Sequence, residues 1–148
     1  MVDERDVTAL QQALRAVLNR EDAAAVGLDA GRRTGDYLLA HRIPKPAQRI
    51  LKLLPAGAAS KMLLQAVAKH AWTFSGSGEF NYSVDRPVRV SIRDCPLCRG
   101  QHADGPVCDF YLGAFERLFT TLVKRRTRVY ETACQAMGAD ACVFEMRW

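Results

Sequence analysis

Residues 127–147 read TRVYETACQAMGADACVFEMR, and this stretch decides the fold class. Residues 127–135 and 141–147 are rich in β-branched and aromatic side chains, which is typical of strands. Between them, Met137-Gly138-Ala139-Asp140 has the composition of a turn. The sequence therefore predicts a β-hairpin at the C-terminal end of the chain.

The segment before this hairpin alternates between helix and strand patterns. An apolar stripe at helical spacing predicts an amphipathic helix over about 110–123. Residues 94–106 are rich in Cys, Gly, Pro and His and predict a loop. Residues 79–83 and 88–92 predict strands, and Trp72-Thr73-Phe74 predicts a further strand.

The N-terminal half has helical patterns throughout. We expect helices over about 7–18, with Asp6 as its N-cap, and over about 22–41, 46–54 and 55–71. The order predicts an α+β fold: N-terminal helices, strands, one long helix and a final hairpin, with helices packed on an antiparallel sheet. One domain is expected over 1–148, with an N-terminal helix in 1–21 and a core in 22–148.

Three glycines follow one another at four-residue steps in the second helical segment. Gly27, Gly31 and Gly35 would share one helix face and leave room for a closely packed neighbour. A helix broken into loops at these glycines is the alternative.

Composition excludes several classes of protein. The 148 residues are 49% hydrophobic and 25% charged, which is ordinary for a globular domain and unlike a disordered chain. The charged start has no apolar signal region, and no apolar run approaches the roughly 18 residues of a membrane span. We therefore expect a cytoplasmic protein, with no structural disulfides among its thiols.

The net charge of +5 is concentrated in one window. No acid occurs between Asp36 and Glu79, and this window carries six basic residues. These are Arg42, Lys45, Arg49, Lys52, Lys61 and Lys69. They alternate with apolar residues on two short helices, a pattern that favours an anionic membrane surface or the carboxylates of a pigment over nucleic acid. A solvated helix face is the alternative.

Cysteines near the hairpin suggest a metal site. Cys134 and Cys142 flank the turn symmetrically, so facing strands would bring their thiols together. Cys108 precedes the long helix that must pack on this sheet, and it is a candidate third ligand. Glu131 could add an oxygen ligand, but residues three apart on a flat strand face opposite sides. A bulge or a strand-end twist would be needed to turn Glu131 towards Cys134.

A second set of candidate ligands lies in the loop. Cys95 and Cys98 form a CxxC motif, which together with His102 and Cys108 offers a competing zinc set. Buried, unligated thiols are the alternative for most of these residues. The role of Cys95 and Cys98 stays open.

The C-terminal third of the chain resembles the 4-vinyl-reductase domain family. The segment 106–115 has a helix-opening cysteine, and E-x-x-C-x7-C follows at Glu131, Cys134 and Cys142. The family's G-D-x-x-C-x-F turn reads Gly138-Ala139-Asp140-Ala141-Cys142-Val143-Phe144, with Ala139 inserted before the acid. Residues 31–40, Ile43-Pro44 and 70–74 are similar to the bacteriochlorophyll-biosynthesis branch of this family.

This resemblance implies a fold, a metal and an assembly. The fold would be similar to small-molecule-binding and trafficking-subunit domains, which are commonly dimeric, so a homodimer is expected. In related aromatic-sensing activators a Cys, Glu, Cys, Cys set binds structural zinc. Carried over, that set is Cys108, Glu131, Cys134 and Cys142.

The resemblance also implies a place in pigment synthesis. No dinucleotide-binding G-x-G-x-x-G follows a strand, so we expect no nucleotide cofactor and identify no catalytic residues. A tetrapyrrole-binding carrier is the favoured function. The alternatives are an 8-vinyl (4-vinyl) reductase of divinyl protochlorophyllide and a small-molecule sensor domain. Other pigment-biosynthesis enzymes are expected partners, and residues 42–69 are expected to make a peripheral membrane contact.

Aromatic side chains are the candidate ligand contacts, because flat rings stack on a macrocycle at low entropic cost. Plain hydrophobic core is the alternative for these residues. The candidates are Trp72, Phe74, Phe80, Tyr82, Phe110, Tyr111 and Phe115.

Overall fold

The computed structural model describes residues 3–148, with five helices before the first strand and one after the second. The helices are α1 Glu4–Val17, α2 Arg20–Tyr37, α3 Lys45–Leu53, α4 Ala56–Lys69, α5 Trp72–Ser75 and α6 Asp109–Leu122. The strands are β1 Glu79–Ser83, β2 Val88–Arg93, β3 Arg128–Ala133 and β4 Cys142–Arg147. No helix within residues 3–148 is both long enough and apolar enough to cross a membrane.

Side-chain caps fix the starts of the first two helices. Asp3, rather than the expected Asp6, caps α1 by accepting a hydrogen bond from the Arg5 amide at 2.9 Å. Asn19 caps α2 by accepting from the Asp22 amide at 2.8 Å. Each cap satisfies an amide that has no partner within its helix. After α2 the chain makes one π-helical turn, Leu38–Arg42, before Pro44 and Pro46 set the start of α3.

Helices α2 and α6 cross closely at glycines, as the four-residue glycine spacing predicts. A Cβ added at Gly31 would lie 2.0 Å from the Phe110 carbonyl oxygen. From the other side, a Cβ at Gly113 of α6 would lie 2.3 Å from the Leu28 carbonyl oxygen. Neither position has room for a methyl group, so the two backbones approach each other directly.

The four strands form one antiparallel sheet in the order β1-β2-β4-β3. Val90 of β2 pairs with Phe144 of β4, and both are fully buried on the face that the helices cover. The next pair, Arg89 and Glu145, points to the opposite face, where the two side chains form an ion pair of 3.1 Å. This alternation places one apolar face inside and one polar face outside.

Helix α6 supplies the apolar layer against the sheet. Its buried side chains recur at helical spacing, as the sequence predicts. They are Tyr111, Phe115, Leu118, Phe119 and Leu122. The expected α+β architecture with an antiparallel sheet is confirmed.

The strand expected at Trp72–Phe74 is wrong. The Phe74 and Ser75 amides both donate to the Ala71 carbonyl, at 3.0 and 2.8 Å, so this segment is a helical turn that follows α4. The Ser75 hydroxyl reinforces the turn by donating to the same carbonyl at 2.8 Å. Gly76, with φ of 57°, then redirects the chain towards β1.

Candidate metal centre

All five cysteine thiols are buried and lie in one cluster, although four separate segments supply them. Cys95 and Cys98 come from the loop after β2, Cys108 is the residue before α6, Cys134 follows β3 and Cys142 begins β4. The Sγ atoms of Cys95 and Cys108 are 3.6 Å apart, and those of Cys98 and Cys142 are 3.4 Å apart. Cys142 Sγ lies 3.6 Å from Cys108 Sγ and 3.9 Å from Cys134 Sγ.

These separations fit the ligands of one small ion. Four sulfurs at about 2.3 Å from a tetrahedral zinc ion are about 3.8 Å from one another. Two groups of four donors within residues 3–148 have all their donor atoms within 4.8 Å of each other. One is Cys95, Cys98, Cys108 and Cys142; the other is Cys108, Glu131, Cys134 and Cys142.

A bulge in β3 brings Glu131 and Cys134 to the same side of the sheet. Glu131 pairs with Phe144, but Ala133 pairs with the next residue of β4, Val143, so β3 has one extra residue. The extra residue reverses the in–out alternation, and Cys134 therefore faces inward like Glu131. This is the bulge that the strand spacing requires for Glu131 to join the cysteines.

Glu131 lacks a full set of partners. Its Oε2 accepts a hydrogen bond from the Cys108 amide at 2.9 Å, whereas its Oε1 is buried without a partner among the described residues. Burial raises the pKa of this carboxyl group to about 9, well above the ordinary 4.5. An unpartnered buried carboxyl oxygen is costly to the fold, and a metal ion would satisfy it.

The thiols influence one another because a thiol can donate to a neighbouring thiolate. Hydrogen bonds from neighbouring cysteines, that of Cys108 first, lower the pKa of the Cys134 thiol to about 6. The pKa of Cys98 is lowered for the same reason, again with the bond to Cys108 first. The thiolate is the form of cysteine that binds metals, so these hydrogen bonds favour ligation.

Two polar side chains outside the cluster hold its segments in place. Arg15 of α1 donates to the carbonyls of Leu97 and Val107, at 2.8 and 2.7 Å, and so joins the loop to the residue before Cys108. Gln135 accepts from the Cys95 amide at 2.8 Å, and its own amide donates to Cys142 Sγ at 3.4 Å. The sequence analysis missed both residues, because neither belongs to a motif.

The structure brings together all four residues of the zinc set implied by the resemblance, and it adds Cys95 and Cys98 to them. His102, a member of the competing set, is in neither group of four donors. It is exposed and lines a shallow surface depression with Met137 and Gly138. The buried cluster can hold a metal ion, and its sulfur-rich donors with one carboxylate suit zinc.

Six of the seven candidate ligand aromatics lie in one connected cluster. Phe74 meets Phe80 and Tyr111 at ring-centroid distances of 5.6 and 6.0 Å. Phe80 continues to Tyr82 at 6.4 Å. Phe110 and Phe115 contact Tyr111 at 5.9 and 6.4 Å.

Burial divides these aromatic residues into two groups. Tyr111 and Phe115 are 3% and 4% exposed and belong to the core. The Tyr111 hydroxyl donates to the Phe74 carbonyl at 2.7 Å. The other four cluster members are half-buried, whereas Trp72 is 57% exposed and forms no ring pair within residues 3–148.

Comparison with known proteins defines the family. Residues 88–147, which include all six donors, match the 4-vinyl-reductase domain. The chain is 44% identical over 146 residues to the bacteriochlorophyll synthase 23 kDa chain of Cereibacter sphaeroides, covering 99% of this chain and 70% of that protein. This chain belongs to the 4-vinyl-reductase domain family. The Rhodobacter capsulatus protein named bacteriochlorophyll synthase 23 kDa chain is 41% identical over 146 residues, covering 97% of this chain and 67% of the relative.

Membership of this family confirms the resemblance and associates the chain with bacteriochlorophyll biosynthesis. Solved structures confirm the trafficking-subunit-like fold. A trafficking protein particle complex subunit 3 from Naegleria fowleri matches with a TM-score of 0.56 at 17% identity, over 98% of this chain and 96% of that one. The phenol-responsive sensory domain of the transcription activator PoxR gives 0.52 at 15% identity, over 98% of this chain and 74% of that one. At these identities the likeness concerns the fold alone.

Proposed function

We propose that this member of the 4-vinyl-reductase domain family binds a tetrapyrrole intermediate as an accessory protein of bacteriochlorophyll synthesis. The observation that carries the proposal is the similarity to bacteriochlorophyll synthase 23 kDa chains along 99% and 97% of this chain. The similarity therefore extends well beyond the matched domain segment to α1–α5, which precede it. Pigment intermediates are the ligands that best suit a protein of this family with many half-buried aromatic rings.

The proposed contact surface is the aromatic edge, defined as Trp72, Phe74, Phe80 and Tyr82. Phe80 and Tyr82 point inward from β1, which is an edge strand, and Phe74 packs on Phe80. Half-buried rings can stack on a flat macrocycle while their other atoms stay packed in the core. Trp72, exposed on the same short helix as Phe74, adds a ring that is free to contact a ligand.

The charges near this surface suit the carboxylate of a tetrapyrrole. Lys69, exposed at the end of α4, precedes Trp72 by three residues. None of the six basic residues in the acid-free window forms an ion pair within residues 3–148. Such a cation can pair with a ligand carboxylate without first breaking an internal salt bridge.

Titration with divinyl protochlorophyllide tests this function. We expect a shifted pigment absorption spectrum and saturable quenching of protein fluorescence, with no change in the pigment itself. Trp72→Ala should weaken binding about tenfold, since one lost aromatic contact is worth roughly 1 kcal/mol. Tyr130→Ala is the matched control, because Tyr130 is 43% exposed on the opposite sheet face.

The same titration distinguishes the alternative functions. Loss of the 8-vinyl group on addition of NADPH would replace the carrier function with that of a reductase. Binding of small aromatic molecules but not of the pigment would favour a sensor domain. Equal pigment affinity in Trp72→Ala, Phe80→Ala and the wild type would reject the aromatic edge as the site.

We further propose that zinc is the ion held by the cysteine cluster and that its role is structural. Support comes from the donor chemistry and from the unpartnered Glu131 Oε1. Zinc would tie together the segments before α6, at the end of β3 and at the start of β4. Metal analysis of the wild type against Cys134→Ala tests this, and unchanged zinc content would contradict it.

Residues 42–69 are proposed to contact an anionic membrane surface, and two copies of this single-domain chain are proposed to assemble as a homodimer. On α3 and α4, three exposed apolar side chains lie among the unpaired cations: Ile50, Leu53 and Met62. Apolar side chains flanked by lysine and arginine are typical of helices that lie on membranes. Light scattering coupled to gel filtration would measure the mass of the assembly.

A further inference from the structure

The two groups of four donors in the cysteine cluster overlap. Each contains Cys108 and Cys142, whose Sγ atoms are 3.6 Å apart. Cys95 and Cys98 complete one group, and Glu131 and Cys134 complete the other. Two tetrahedra that share one edge have this arrangement of six corners.

We propose that the cluster binds two zinc ions bridged by the thiolates of Cys108 and Cys142. The first ion is held by Cys95, Cys98 and the two bridging cysteines. The second ion is held by Glu131, Cys134 and the same two bridges. This centre extends the four-ligand site that the family resemblance implies, and it gives Cys95 and Cys98 a function.

A single ion would leave two buried donors without a role. An ion held by Cys95 and Cys98 would leave Glu131 Oε1 unpartnered in the interior. An ion held by Glu131 and Cys134 would leave the two loop thiols unused, although Cys98 Sγ is 3.4 Å from Cys142 Sγ. Two ions use every donor once, apart from the two bridging sulfurs.

Charge balance also favours two ions. Five thiolates and one carboxylate would bring six negative charges into a buried cluster. Two divalent cations offset four of these charges, whereas one cation offsets only two. Buried charge without compensation is strongly unfavourable, so a single ion would force several donors to remain protonated.

The structure holds the loop donors in place from outside the cluster. Cys95 and Cys98 are joined by a tight turn, in which the Cys98 amide donates to the Cys95 carbonyl at 3.3 Å. The Arg15 guanidinium fixes this loop against the segment that carries Cys108. The donors of the first ion are therefore positioned by hydrogen bonds that need no metal.

Zinc stoichiometry tests the proposal. The full chain is loaded with Zn²⁺ under reducing, oxygen-free conditions, freed of excess metal and analysed for metal per chain. We expect two ions in the wild type, one in Cys98→Ser, one in Cys134→Ser and none in Cys108→Ser. His102→Ala, which changes an exposed residue of the same loop, is the control and should keep two.

Cadmium-113 NMR adds a readout of the bridge. Two resonances split by coupling to each other are expected in the wild type, because a shared sulfur transmits the coupling. Cys98→Ser should show one unsplit resonance, which also reports whether that variant has folded. One ion per wild-type chain, or two resonances without mutual coupling, would overturn the proposal. Pigment binding by the aromatic edge is measured separately, so the two proposals can fail independently.

Discussion

Glu131 combines two properties that rarely coexist at a buried residue. One oxygen accepts a backbone hydrogen bond, and the other has no partner among the described residues. Burial raises its pKa to about 9, so near neutral pH the metal-free protein carries it in the protonated form. A bound cation would displace that proton, and Glu131 therefore links metal binding to the stability of the hairpin.

Glu131→Gln separates the charge of this residue from its shape. The amide can still accept from the Cys108 amide, but it is a poor zinc ligand. We expect the metal-free variant to unfold at the wild-type temperature or above, and the zinc-loaded variant to lose one ion to a chelator at least tenfold faster. Thermal unfolding and chelator competition measure these effects. An unchanged rate of zinc loss would remove Glu131 from the site.

Glu145 contributes through its charge on the opposite face of the sheet. Hydrogen bonds from Arg147 and then Arg89 lower its pKa below the ordinary 4.5. The stability that it contributes is present above pH 4.5 and is lost as the pH falls through the lowered value.

We therefore expect Glu145→Gln to be less stable than the wild type at pH 7, with the difference vanishing near pH 3. Urea unfolding of both proteins at each pH measures the difference, and metal loss in acid is common to both proteins. A difference that persists unchanged at pH 3 would show that the charge of Glu145 is not its cause.

At the scale of elements, the contact of α2 with α6 depends on missing side chains. Gly31 and Gly113 let the two helices touch through their backbones. The crossing fixes the start of α6, which immediately follows Cys108. Helix packing far from the cluster thus positions one of its bridging ligands.

Gly31→Ala should destabilise the protein by about 2 kcal/mol or more, since its Cβ would overlap the Phe110 carbonyl oxygen and push the helices apart. Gly57→Ala is the matched control, because a Cβ at that position on α4 meets nothing within 4 Å. The control should be unchanged or stabilised by up to about 1 kcal/mol. Chemical denaturation measures both, and equal stabilities would contradict the packing described.

Helix α3 presents apolar and basic side chains together. Leu53 is 85% exposed and Ile50 is 49% exposed, with Arg49 and Lys52 beside them. Solvent exposure of these apolar groups is unfavourable unless a partner covers them. A membrane surface with negative headgroups could interact with both kinds of side chain.

Flotation with vesicles tests this contact. The wild type should float with vesicles containing about one-third anionic lipid and not with neutral ones. Leu53→Ser and Lys52→Glu should each reduce flotation severalfold. Val17→Ser is the control, because Val17 is 83% exposed on α1, outside residues 42–69. Equal flotation of all variants would reject α3 as the contact.

At the scale of the whole molecule, the cysteine cluster joins segments that are far apart in the chain. The loop after β2, the start of α6 and the C-terminal hairpin meet there, and α1 is tied to the same loop by Arg15. A metal bound at such a junction stabilises the native chain and not the unfolded one. Chelation should therefore weaken the entire fold.

Removal of zinc by a strong chelator should lower the unfolding temperature by about 10 °C or more. This follows from a binding free energy of at least about 4 kcal/mol and a shift of roughly 2–4 °C per kcal/mol for a chain of this size. Differential scanning calorimetry with and without chelator measures it, and re-addition of Zn²⁺ should restore the original temperature. An unchanged unfolding temperature would contradict a structural role for the metal.

Local patterns determined most of the elements of this protein. The spacing of apolar residues predicts α6 and the hairpin, and the family motif names four of the donors, because both depend on residues close in sequence. The aromatic run Trp72–Phe74 misled, since strand propensity gave way to hydrogen bonds that continue from α4.

Tertiary structure alone decided how the donors combine. The bulge that turns Glu131 and Cys134 to one side and the return of the Cys95–Cys98 loop to Cys142 depend on pairings across the chain. So does the link from Arg15 to that loop. No local pattern encodes such contacts, because their energies arise only when distant segments pack together.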